Sequence, residues 1–208
     1  NAHEAHVEGF GSLENVMRAK GEIVRDMPSH GVAVLNADDV WFQQWQSMVA
    51  AKQTLTFGLS ASAQVTAVEL RLLPDRSEFI LQTPTTAVPV NLPLPGQHNV
   101  MNALAAGAAG VAAGFSIAQI KTGLETVPIT KGRLAQKQGV SGSVVIDDTY
   151  NASPAAVKAA LKVLAKYPGR KIAVLGHMAE LGELSVSSHL EVGRFAQEMG
   201  IHELWVTG

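Results

Sequence analysis

The sequence predicts an α/β protein in two parts, a mixed sheet with helices over residues 1–128 and a doubly wound sheet over residues 129–208. Three observations lead there. Short apolar strands alternate with amphipathic helices near the amino terminus, the hydrophobic period changes to two between about 63 and 94, and a β-α-β-α-β run closes the chain. The composition permits such a fold. With 47% apolar and 16% charged residues over 208 positions, a sizeable core is available and wholesale disorder is excluded. A formal charge of −2 without any Lys/Arg run leaves no field to hold a polyanion, so no nucleic-acid partner is expected. The absence of cysteine removes disulfide and thiolate chemistry. Gly107, Gly110 and Gly114 interrupt the Ala-rich stretch 101–118, and no apolar run reaches the ~18 residues of a membrane span. A cytoplasmic monomer is expected. The chain is also expected to start and stop inside a longer protein, because NAHEAHVE carries no initiator methionine and the last strand runs into Thr207-Gly208, where a loop should follow.

Each element has a local reason. Ser12 can cap a helix that Pro28 ends, with Leu13, Val16, Met17, Lys20, Val24 and Met27 along its inner stripe. Residues 32–35 form a short strand, 39–51 a helix carrying Trp41 and Trp45, and 54–57 another strand. Val68, Leu70 and Leu72 then alternate with polar residues, Asp75-Arg76-Ser77 turns, and strands at 79–82 and 88–92 complete a meander. The helix at 99–114 is so rich in Ala and Gly that its neighbours must approach closely. Ser116 caps a helix running to 125, and Pro128 and Gly132 mark the boundary, placed at 128. Beyond it a hairpin pairs 134–138 with 144–147 around Ser141-Gly142. Strands at 171–175 and 203–206 alternate with helices at 154–166 and 185–199, the first capped by Ser153 with Pro154 in its first turn.

Four places carry chemistry. His3, Glu4, His6 and Glu8 crowd the first residues, without the His-Glu-x-x-His spacing of a zinc protease. Lys20, on the inner stripe, either snorkels its ammonium to water or is partly buried with a lowered pKa. A neutral amine adds carbon dioxide, and the carbamate is an oxygen donor suited to Mg²⁺, which a nearby histidine could help to hold. At the start of the Ala-rich helix, His98 or Asn99 could simply cap. Asn99 and Asn102 lie three apart on one face, so paired amides could also read the edge of a flat heteroaromatic base. At the carboxyl end of a strand, Asp147, Asp148, Thr149, Tyr150 and Asn151 gather more hydrogen-bonding side chains than a turn requires, and ligands of open α/β sheets bind at that edge. The loop 176–182 sits at the corresponding end of the next strand, so both loops should face one cleft. Arg133 could grip phosphate in a fork. Neither a G-x-x-x-x-G-K-[ST] loop nor a G-x-G-x-x-G turn occurs in the 208 residues.

The segments AHVEGFGSLENVMRAKGEI, LPLPGQHNVMNALAA, KGRL, IDDTYNASP and GHMAELGE, in that order between positions 5 and 183, resemble the Mur ligases. The resemblance implies the rear part of a P-loop-type central ATPase domain at 1–128 and the front part of a truncated Rossmann-like C-terminal domain at 129–208, without the family's GTxGKT loop. It implies ATP-dependent amide formation through an acyl phosphate, adding D-Ala-D-Ala to UDP-N-acetylmuramoyl-tripeptide in peptidoglycan precursor synthesis, with ATP and Mg²⁺ as cofactors. By the same resemblance Lys20 is the carbamylated lysine and His6 a second Mg²⁺ ligand. Asn99 and Asn102 would recognise adenine, Arg133 would reach ATP, and Asp148 would lie near the ribose. Tyr150, Asn151 and Glu180 would hold the dipeptide. His177 departs from the family, where an aspartate is usual. A sister Mur ligase, a folylpolyglutamate synthase and a non-catalytic nucleotide-binding module are the alternatives; Tyr150-Asn151 and the MAELG loop argue against the first two.

Overall fold

The computed structural model describes residues 7–49 and 53–207. After a single helical turn, α1 (Val7–Phe10), come α2 (Leu13–Arg25), β1 (Val32–Asn36), α3 (Phe42–Met48) and β2 (Gln53–Phe57). Ser12 caps α2 by accepting from the Asn15 amide at 3.1 Å. β1 and β2 pair in parallel, Val34 opposite Leu55, and their side chains divide between two layers. Ala33 and Leu35 pack with Val16, Met17, Val24, Trp45 and Val49, whereas Val32, Val34, Leu55 and Phe57 belong to the core on the other face. Helices α2 and α3 therefore cover one face of this pair.

The opposite face is covered by a meander, β3 (Thr66–Leu72), β4 (Ser77–Gln82) and β5 (Ala87–Leu92), and by α4 (Gln97–Ala112) and α5 (Ile117–Glu125). Val68 departs from the sequence expectation and is exposed. A bulge between Val68 and Arg71, with Glu69 at φ 53°, shifts the alternation by one residue, so Val65 and Ala67 face inward before it and Leu70 and Leu72 after it. The small residues of α4 do bring neighbours close, as a Cβ on Gly110 would lie 2.9 Å from Ile120 Cγ1. Ser116 and Gln119 form a complete capping box at α5.

The C-terminal unit holds β6 (Ala135–Gln138), β7 (Val144–Asp147), α6 (Pro154–Leu164), β8 (Ile172–Leu175), α7 (Ser185–Glu198) and β9 (Glu203–Val206). The strands and helices fall where the sequence places them. Among the described residues β8 pairs in parallel with β9, while β7 pairs antiparallel with β6 and not with β8. Periodicity locates strands, but it does not choose their neighbours. Val157, Leu161, Ala173, Met178, Leu181, Val192 and Ala196 make a small core between α6, α7 and one face of β8. The other face of β8–β9 leaves Ile172, Val174 and Trp205 exposed.

Candidate functional site

The α4 amino terminus, the approach to β6 and the carboxyl end of β7 meet at a seam between the two units. Gly96, the N-cap of α4 at φ 92°, is the pivot on the central side. A Cβ there would lie 2.7 Å from His98 Cε1 and 2.9 Å from Val163 Cγ2, so the imidazole is held close to α6 of the other unit. Asn99 turns its side-chain amide onto the Pro95 carbonyl at 2.8 Å, which leaves its own side-chain oxygen as an acceptor. Asn102, one turn on, is exposed.

Across the seam, KGRL and IDDTYN are knitted together. The Tyr150 amide donates to the Gly132 carbonyl at 3.0 Å, and the Leu134 amide donates to Asp148 Oδ1 at 3.0 Å. Both arms need unusual backbone. Gly132 has φ 74°, with room for a Cβ closed off by the Tyr150 nitrogen at 3.0 Å, and buried Leu134 has φ 53°. Burial pushes the Asp148 carboxyl above its ordinary value, against the opposing pull of the Leu134 amide, His98 and Arg133. Burial likewise lowers His98, and the Asp148 charge opposes that. Each group thus acts on the other across the seam. Asp147 plays a different part: Lys137 Nζ at 2.6 Å and the Thr149 hydroxyl at 2.7 Å hold it at about 2 and tie it to the hairpin. The Arg133 guanidinium lies over the Tyr150 ring, 4.1 Å from its centre.

The structure therefore brings together Asp148, Arg133 and Tyr150, and sets them beside the helix that carries Asn99 and Asn102. Lys20 is placed otherwise than the sequence reading expected. It is exposed, because Gly21 takes the inward position: a Cβ on Gly21 would lie 2.8 Å from Met48 Sδ and 3.1 Å from Trp45 Cδ1. The burial invoked to favour a neutral amine is not there. Lys20 and the asparagines also stand on helices that cover opposite faces of β1–β2, so one ligand would reach both only around the end of that sheet. His6 lies outside the described residues, and among those residues no three His, Asp or Glu side chains gather as a metal centre.

A cavity of about 290 Å³ opens at the carboxyl end of β8–β9, lined by Leu175, His177, Met178, Leu204 and Thr207 among others, and neither Tyr150, Asn151 nor Glu180 reaches it. Asn151 is exposed and its side-chain oxygen accepts from the Ala152 amide at 2.9 Å; Glu180 is exposed at φ 62°. Sequence reasoning missed His189. Its Nδ1 donates to the Ser185 carbonyl at 2.7 Å, its Nε2 accepts from the Met178 amide at 3.1 Å, and its ring stacks on His177 at 5.2 Å. Both partners are backbone groups, so the residue types around His189 carried no signal for it.

A family model described as the Mur ligase middle domain matches residues 1–110, and one described as the Mur ligase glutamate ligase domain matches residues 132–208. The chain is 41% identical over 209 residues to the UDP-N-acetylmuramoyl-tripeptide--D-alanyl-D-alanine ligase of Escherichia coli K12, covering 100% of this chain and 46% of that protein. It superposes on crystal structure I of MurF from Acinetobacter baumannii with a TM-score of 0.95 at 36% identity, over 100% of this chain and 45% of the other. The MurF ligase of Thermotoga maritima in complex with ADP gives a TM-score of 0.82 at 24% identity, over 100% and 51% of the two chains, and speaks for the fold alone. The chain thus spans about half the length of the relatives it matches.

Proposed function

This chain belongs to the Mur ligase family, and from that premise we propose that the whole protein uses ATP to join D-Ala-D-Ala to UDP-N-acetylmuramoyl-tripeptide in peptidoglycan precursor synthesis. The observation that carries the proposal is identity of 41% along the full chain to a ligase named for that reaction. The seam supports it, because groups suited to one nucleotide approach one another from two units.

In this reading the ATP γ-phosphoryl group passes to the tripeptide carboxylate and ADP leaves. The amine of the dipeptide then attacks the acyl phosphate, and the tetrahedral intermediate expels phosphate as the amide forms. Little covalent work falls to the protein, whose task is positioning and charge stabilisation. Asn99 Oδ1 and the Asn102 amide read the adenine edge. Asp148, fixed by the Leu134 amide, accepts from the ribose hydroxyls. Arg133 leaves Tyr150 to grip phosphate, and Tyr150, Asn151 and Glu180 hold the dipeptide. Closure of the units completes the nucleotide site, with the division between them at about 128.

Lys20 as its carbamate and His6 are assigned to Mg²⁺, on the family resemblance alone. The described residues do not make up that centre by themselves. No helix among the described residues is long and apolar enough to cross a membrane, in keeping with our reading of a cytoplasmic monomer. The test is phosphate release by the full-length protein, which should require ATP, the UDP-linked tripeptide and D-Ala-D-Ala together. Equal turnover with a single amino acid in place of the dipeptide would overturn the assignment.

A further inference from the structure

The C-terminal unit touches the central one at a second place, just past the carboxyl end of α6. The Tyr167 hydroxyl donates to the Pro74 carbonyl at 2.8 Å, Lys166 Nζ to the Leu72 carbonyl at 2.9 Å, and Gln136 Nε2 to the Pro74 carbonyl at 3.4 Å. Three donors from two separate elements thus converge on the tip of the β3–β4 hairpin. That tip is stiff. Pro74 fixes its own φ, the Leu73 amide closes the turn on the Arg76 carbonyl at 2.9 Å, and Arg76 pairs with Asp75 at 3.2 Å and Glu78 at 3.0 Å. The half-buried phenol is held protonated, since burial and the Asp75 charge both raise it, and so it remains a donor.

Position gives the contact its consequence. Lys166 and Tyr167 follow Val163 by three and four residues, and Val163 is the α6 side chain pressed against Gly96 at the start of α4. The end of α6 therefore rests on the hairpin tip and on the nucleotide-site helix together. We infer that Tyr167 is a positioning residue: with Lys166 and Gln136 it pins α6 to the β3–β4 turn and sets how often Asp148 and Arg133 stand opposite Asn99 and Asn102. This rests on the nucleotide reading of those four residues, and Tyr167 itself touches no substrate in it.

The test uses the full-length protein with Tyr167→Phe, which keeps the ring and removes the donor, and a second variant, Lys166→Met with Gln136→Ala. Losing a hydrogen bond of ordinary net strength corresponds to about a fivefold change in an equilibrium. We expect a rise of that size in KM for ATP with kcat changed less than about twofold, and a wider small-angle scattering distance distribution without nucleotide. Unchanged scattering and unchanged KM in both variants overturn the inference, as does a loss of kcat at constant KM. Should the unsubstituted protein not consume ATP, the nucleotide reading fails, while the scattering comparison still decides whether the pin exists.

Discussion

The two units are built from similar elements but filled differently. In the central unit both faces of β1–β2 are covered, and α4 sinks Val100, Leu104 and Ala108 completely beneath the meander. In the C-terminal unit only one face of β8–β9 is covered, and Trp205 on the other is 62% exposed. Within these 208 residues, the side chains we assign to adenine thus stand on a well-packed helix, whereas Asp148 and Arg133 stand beside a smaller core.

This contrast can be broken by experiment. The largest expected effect is on activity: Lys20→Ala in the full-length protein should abolish turnover, without rescue by bicarbonate, although Lys20 lies on the well-packed unit. Undiminished phosphate release in that variant would remove Lys20 from the site. Next comes stability. Leu104→Ala should cost about 2–5 kcal/mol, whereas Leu161→Ala in the small core should fall near the lower end of that range because its surroundings can relax. In urea, signals from Trp205 in the 208-residue chain should change before those from buried Trp45, and a single coincident transition would contradict the difference in packing within it.

A smaller effect concerns ligand binding by the 208 residues alone. They contain no G-x-x-x-x-G-K-[ST] loop, so titration calorimetry with ATP and Mg²⁺ should give weak heats, and tight binding would show that the seam holds nucleotide unaided. The smallest effect is on pH dependence. Burial places folded His98 below its ordinary 6.5, so the stability it contributes is complete above about pH 6.5 and is lost as pH falls through the folded value. Asp148, raised by burial, has the opposite sign: its contribution is present below the ordinary 3.8 and lost as pH rises through the raised value. His98→Gln should flatten the slope below pH 6.5, measured by urea midpoints at stepped pH, and an unchanged slope would place the imidazole away from the seam.

Much of the fold was legible because its causes are local. Ser12, Ser116 and Ser153 announce their helices through bonds spanning three residues, and the Ala/Gly content of α4 announces close packing. Lys20 was misplaced because positions 20 and 21 compete for the same stripe, and the side chains that decide between them, Trp45 and Met48, lie more than twenty residues away. Val68 was misplaced by a bulge that a strict period of two cannot contain. At the site, the motifs marked Asn99, Arg133 and Asp148 but not their mutual placement, and His189 went unnoticed because its partners are backbone groups, the Ser185 carbonyl and the Met178 amide.

The sequence by itself determined the order of strands and helices, the helix caps and the family, since each depends on neighbours within a few residues or on the motifs themselves. Tertiary structure alone decided which face Lys20 takes, that β7 pairs with β6 and leaves β8 to β9, and that Gly96 meets α6 where His98 and Asp148 oppose each other. The physical reason is range. Caps and periodicities are short-range preferences of the chain, whereas pairing, burial and the fields that shift His98 and Asp148 arise between segments that meet only when the chain is folded.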